Sequence, residues 1–222
     1  MEETQDFADT PYNTVDEAVP SGQSDAGLMK QMLINEKAAP EILTYQADLV
    51  ARLEELIENQ DQRIQDNDSP DAELIRSLYL QELLRVKYLL RSYLRTRIQK
   101  IEQYVMHILD DPEYQERLSP KELEYAKEFF VTSGQHLKEK VLQHMPPGFD
   151  KLLKQSATSE GNDTIPMPDL DRHVFCHVLE DRGTVELEET GTETAEFNKD
   201  DLYVVRYRPI RDLVQDGWVR LI

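Results

Sequence analysis

The segment His173-Val174-Phe175-Cys176-His177 holds the only cluster of histidines in this 222-residue chain, together with its lone cysteine. Valine and aromatic residues around it read as a β-strand, which turns successive side chains to opposite faces. His173 and His177 then share one face about 13 Å apart, with Cys176 on the other. That separation is too long for joint ligation of one ion. The acidic run Glu186, Glu188, Glu189, Glu193, Glu196, Asp200 and Asp201 reads as a solvated hairpin rather than a cation site. A Gly-rich phosphate loop is lacking, as are the HExxH, GxSxG and CxxC patterns. Nothing places carboxylates in a cleft for acid–base work. An enzyme is not expected, and neither a metal nor a cofactor is implied.

A different constellation stands out. Arg85, Lys87, Arg91, Arg95, Arg97 and Lys100 lie between Leu83 and Ile101 with no acid among them, in a chain of net charge −19. Lys87, Arg91 and Arg95 recur every four residues, so on a helix they share a face and repel one another. Something acidic must lie opposite. The choices are acids of the same chain such as Glu54, Glu55 and Glu58, acids of another subunit, or a nucleic-acid backbone.

The element carrying these charges is unusual in its own right. Residues 71–111 contain no glycine or proline and are bracketed by Pro70 and Pro112. Apolar residues recur at helical spacing from Leu74 to Leu109, doubled at several positions, which gives a broad stripe. About 40 helical residues span roughly 60 Å, whereas a compact domain of about 145 residues is only about 40 Å across. The excess apolar surface asks for partner subunits. Tyr88 and Tyr93, interleaved with the charges, fit a core or an interface better than a base-stacking platform.

Other helices surround it. One covers about 25–36, with Leu28, Met29, Met32 and Leu33 apolar. A second opens at Pro40-Glu41 and carries Leu43, Val50, Ile57 and Ile64. The long helix has Ser69 as N-cap and Pro70 at its first position. Ser119-Pro120-Lys121-Glu122 is a capping box that starts the last helix, whose buried face is Leu123, Ala126, Phe129, Phe130, Leu137 and Val141.

The expected organisation is an α+β chain: an acidic disordered tail over 1–24, an all-α helical bundle domain over 25–145 with one very long helix, a linker over 146–167, and a small, mainly-β domain over 168–222. His173–Leu179, Thr184–Glu188, Asp201–Arg208 and Trp218–Ile222 read as strands, with a turn at Asp181-Arg182-Gly183 and a helical turn over Ile210–Val214. About 55 residues are marginal alone, so a neighbour must hold this domain. Leu221 and Ile222 are apolar where termini usually fray.

Composition narrows the class further. With 25 basic and 44 acidic residues, the chain does not read as a generic nucleic-acid or membrane-surface binder. The lone Cys176 excludes an intramolecular disulfide and fits a reducing compartment. The acidic start lacks the features of a secretory signal, and no apolar run reaches about 18 residues. A soluble intracellular protein is expected.

Several blocks also resemble a known family. Asn35–Leu43, Ser92–Glu102, Leu118–Leu123, His144–Pro147, Pro168–Phe175 and the Arg206-Tyr207, Leu213-Val214 and Gly217–Ile222 groups look like the Sld-five-type subunit of the GINS complex of eukaryotic DNA replication, in order and spacing over roughly residues 28–222. The resemblance implies a non-catalytic scaffold in a heterotetramer with three Psf partners, located in the nucleus. It further implies that this complex joins the MCM ring and the Cdc-forty-five protein as the CMG helicase. Tyr93, Leu94, Arg95, Arg97, Ile101, Trp218, Val219, Leu221 and Ile222 are the expected partner-binding residues, with Arg95 and Arg97 matched to acids of the tetramer core. Arg85, Lys87, Arg91 and Lys100 form a secondary basic face, the basis of the alternative reading as a nucleic-acid-binding module. In some relatives the tail docks on a trimeric replisome hub, and no clear counterpart of that segment stands here.

Overall fold

The computed structural model describes residues 24–66, 73–146, 152–153, 165–187 and 194–222. Five helices come first: α1 (Asp25–Ala38), α2 (Ala47–Asp66), α3 (Glu73–Asp110), α4 (Pro112–Glu116) and α5 (Pro120–Lys140). A 3-10 turn at Leu142–His144 closes this part. Strands β1 (His173–Val178), β2 (Gly183–Glu186), β3 (Thr194–Phe197) and β4 (Leu202–Arg206), helix α6 (Tyr207–Gln215) and strand β5 (Val219–Leu221) complete the chain. The fold is α+β, a helical bundle followed by a small, mainly-β region. No described helix is long and apolar enough to cross a membrane.

Helix α3 is the spine. Its 38 residues extend about 57 Å. The backbone leaves helical geometry at Tyr104 (φ −115°, ψ 21°), which kinks the rod near its end. Above the kink, α1 and α2 pack on one side through Met29, Leu33, Leu49, Leu53, Leu90 and Tyr93. Around and below it, Ile101, Val105 and Ile108 meet Ile42, Tyr114, Leu118 and Ala126. Each fully buried aliphatic side chain there contributes roughly 1.5–3 kcal/mol over exposure.

Local chemistry sets the helix ends. The Ser119 side chain accepts from Glu122 N–H at 3.3 Å while Glu122 Oε2 accepts from Ser119 N–H at 2.9 Å, the capping box read from sequence. Asp111 caps α4, with Pro112 at its start, so the proline that ends the long helix begins a one-turn successor that the sequence reading omitted. Other expectations are corrected. Helix α2 begins at Ala47, not Pro40-Glu41, because Ala39–Ile42 form a buried bend whose Glu41 and Ile42 carbonyls accept from Lys100 and Arg117. Val141 is exposed rather than buried, since α5 ends at Lys140. The proposed cap at Ser69-Pro70 lies outside the described residues, as do the acidic tail before Ser24 and most of 147–164.

Two antiparallel sheets make the C-terminal part: β4-β1-β5 and the β2-β3 hairpin. The first two strands, with the turn expected between them at Asp181-Arg182-Gly183, belong to different sheets. Gly183, at φ +66°, makes the corner between them. Val174, Cys176, Val178, Val205, Val219 and Leu221 fill one side of the three-stranded sheet, beneath Tyr207, Ile210 and Val214 of α6. The helical turn expected over Ile210–Val214 begins three residues earlier, with Pro209 in its first turn, where no backbone donor is needed.

Candidate partner interface and its buried ionic support

Arg97 is fully buried on α3. Its Nε and Nη2 donate to Glu122 of α5 at 2.8 and 3.1 Å. Nη1 donates to Glu36 of α1 at 3.2 Å and to the Leu43 carbonyl at 2.6 Å, and Nη2 to the Arg117 carbonyl at 3.0 Å. Those bonds occupy every N–H of the guanidinium. Tyr45 and Tyr93 lie against it, with ring centroids 5.3 and 5.7 Å from Cζ. Burial alone would lower its affinity for a proton, but the Glu122 hydrogen bonds and the Glu36 charge raise it above the usual arginine value. One turn on, Lys100 donates to Glu36 Oε1 at 2.9 Å and to the carbonyls of Glu36 and Glu41. Burial draws its pKa down against the opposing pull of Glu36.

A second knot forms on Glu41, also without solvent exposure. Tyr114 Oη and Arg117 Nη1 reach its Oε2 at 2.8 and 3.1 Å. Tyr207 Oη and Arg211 Nε reach its Oε1 at 3.0 and 2.8 Å. Burial pushes the Glu41 carboxyl up, yet the Arg211 hydrogen bond, the Arg117 charge and the Tyr114 hydroxyl together hold it below the ordinary carboxylate value. The Tyr114 hydroxyl is pushed up to about 12 by burial and by Glu41. Glu113 adds partners for Arg117 and Arg211. Because Tyr207 and Arg211 belong to α6, this knot ties the β region to the helices. A second tie is the clip of β5 to α1: Asn35 Oδ1 accepts from Leu221 N–H at 2.9 Å, and Gln31 Nε2 donates to the Leu221 carbonyl at 3.1 Å.

These contacts redistribute the expected interface residues. Arg97, expected against acids of another subunit, is saturated by acids of its own chain. Tyr93, Ile101, Val219 and Leu221 are likewise buried within the chain. Their side chains do not reach the surface of this chain. Lys87 pairs with Asp61 of α2, and Arg91 borders the same groove as Glu54 and Glu58, so part of the basic run finds intrachain acids. Arg85 pairs with Glu82 at 3.7 Å. Trp218 is half-buried beneath the Arg182 guanidinium, and Ile222 is exposed.

What remains outward on α3 is a stripe. Leu84, Tyr88, Arg91, Arg95 and Ile98, spaced alternately by four and three residues, share the side turned away from Leu83, Leu90, Tyr93 and Arg97. Leu84 is 57% and Tyr88 65% exposed. Arg95 is exposed and makes no ion pair among the described residues. Leu94 lies half-buried beside it. Leu74, Ile75 and Leu78 extend the apolar surface toward the start of the helix. A helix this apolar on its solvent side is built to be covered.

Comparison with known proteins decides what kind of chain carries this surface. Residues 49–139 match the family model of the GINS complex protein helical bundle domain, and residues 168–222 match that of the DNA replication complex GINS protein SLD5 C-terminus. The DNA replication complex GINS protein SLD5 of Arabidopsis thaliana is 39% identical over 202 residues, covering 90% of this chain and 91% of its own. This chain belongs to the SLD5 family of GINS replication proteins. The human protein of the same name is 33% identical over 203 residues, with 87% of each chain covered, and that of Dictyostelium discoideum is 30% identical over 200. In this SLD5-family chain the buried ionic knots join α1, α3 and α5, and every N–H donor of Arg97 is taken. Sequence reading missed Glu36, Glu41, Arg117 and Glu122. The signal for Glu36 and Glu41 was the block Asn35–Leu43, which holds two acids beside apolar residues and a proline, and for Glu122 the capping box at Ser119.

Proposed function

We propose that this chain is a non-catalytic scaffold subunit of a GINS heterotetramer with three Psf partners. In this reading the complex acts in the nucleus, joining Cdc-forty-five to the MCM ring as part of the CMG helicase. The chain would do so as two domains, helical over 25–145 and mainly β over 168–222, with a linker over 146–167. The observation that carries the reading is the α3 stripe, large apolar side chains and Arg95 on the solvent side of the longest helix. Leu94 and Arg95 would meet partner subunits there, and Trp218 at the β region.

Size-exclusion chromatography with light scattering tests this, on the chain alone and co-expressed with three Psf proteins. A 1:1:1:1 complex that rescues a poorly behaved isolated chain is the expected result. A stable monomer that ignores the Psf proteins would overturn it.

A further inference from the structure

The side of the β4-β1-β5 sheet that turns away from α6 is not an ordinary polar strand surface. Strand register places Val204 opposite Phe175 and Leu202 opposite His177. On the other flank Arg220 lies opposite His177, and Ile222 N–H donates to the Phe175 carbonyl at 3.1 Å, extending that pairing by one residue. Val204, Phe175 and Ile222 therefore form an apolar row across all three strands, and each is more than half exposed. Leu202 adjoins the row at 67% exposure.

The row is framed by positive charge in a chain whose net charge is −19. Arg206, paired with His173, stands at one end, and Arg220, beside His177, at the other. Neither arginine makes an ion pair among the described residues. Asp171, paired with Arg208 and also within reach of the Arg206 charge, and Asp200, facing His177, stand beyond the strand ends. An apolar centre between two arginines recognises a polypeptide that alternates carboxylates with apolar side chains.

We propose that this sheet surface docks the chain's own residues 1–23. That stretch holds Glu2, Glu3, Asp6, Asp9, Asp16 and Glu17 with no basic residue, and its large apolar side chains include Phe7 and Tyr12. Its connection is favourable, because it enters α1 at Ser24, and α1 holds Leu221 through Gln31 and Asn35. Those residues lie about 10–16 Å along the helix from Ser24. Twenty-three residues reach up to about 75 Å when extended. Tethering also raises the local concentration of the segment at the sheet, so modest contacts suffice.

Photo-cross-linking in the full chain tests the assignment. A benzophenone amino acid replaces Phe7 or, separately, Tyr12, and cross-linked peptides are mapped by mass spectrometry, with the chain free and co-expressed with the Psf proteins. Intramolecular cross-links into 173–178 or 202–206 are expected. Their yield should fall on the order of tenfold in the R206E/R220E pair and in 1 M salt. Val204→Asp, a change at an exposed position, should give the same loss without altering circular dichroism. Cross-links that land elsewhere, that join only to another protein, or that survive charge reversal overturn the proposal. These outcomes are read independently of whether a 1:1:1:1 complex forms.

Discussion

Arg211 Nε donates to Glu41 Oε1 at 2.8 Å across 170 positions of sequence. With Tyr207 on the same oxygen, and Tyr114 and Arg117 on the other, one carboxylate receives donors from the helical region and from α6. The orientation of the β region thus depends on a group with no solvent contact.

Removing that charge should be costly. Glu41→Gln leaves Arg117 and Arg211 with only the exposed Glu113 as a shared acid, and loss of one member of a buried pair typically costs about 3–5 kcal/mol. Thermal unfolding should show a lower Tm, with earlier proteolysis between residues 147 and 172. An unchanged Tm would remove Glu41 from its structural role.

The same carboxyl makes stability pH-dependent with a definite sign. Its folded pKa lies below the ordinary value of 4.5. The contribution is therefore complete above about pH 4.5 and lost as pH falls through the folded pKa. The Tm gap between the parent chain and Glu41→Gln should narrow in that window and stay constant from pH 6 to 8. A gap that widened on acidification would contradict this assignment.

Arg95 and Arg97 sit two residues apart and should behave oppositely. Arg97→Met leaves Glu122 buried without its cation and Glu36 with Lys100 alone, and should cost about 3–5 kcal/mol of fold stability. Arg95→Glu should leave helicity and Tm nearly unchanged, since surface substitutions usually stay within about 0.5 kcal/mol, while reducing recovery of the co-expressed tetramer. Normal assembly of Arg95→Glu would refute the interface on α3.

The β5–α1 clip has its own signature. Asn35→Ala orphans the Leu221 N–H and should cost roughly 1–3 kcal/mol. Deleting Val219–Ile222 removes the whole strand and should speed amide exchange in β1 and loosen assembly. Unchanged exchange in Cys176–Val178 would show that the sheet does not need its third strand.

Much of this architecture was legible in the sequence, for identifiable reasons. The long helix announced itself through uninterrupted 3.6-residue periodicity, and Ser119-Pro120-Lys121-Glu122 gave the start of α5 because capping is a local, stereotyped exchange of hydrogen bonds. Pro40-Glu41 misled for the same reason: locally it is a good helix start. Its carboxylate is claimed by residues up to 170 positions away, and no local rule sees them. Arg97 and Arg95 likewise look alike in sequence. Only the packing of α1 and α5 distinguishes the buried cation from the exposed one.

The clip between Asn35 and Leu221 also governs the timing of biosynthesis. At about 5–20 residues per second, the 186 positions separating them take roughly ten to forty seconds to translate. Throughout that interval α1 exists without the strand that completes its contacts. Closure of the clip is therefore a late event, in which an early-made helix waits for a late-made strand before it is locked.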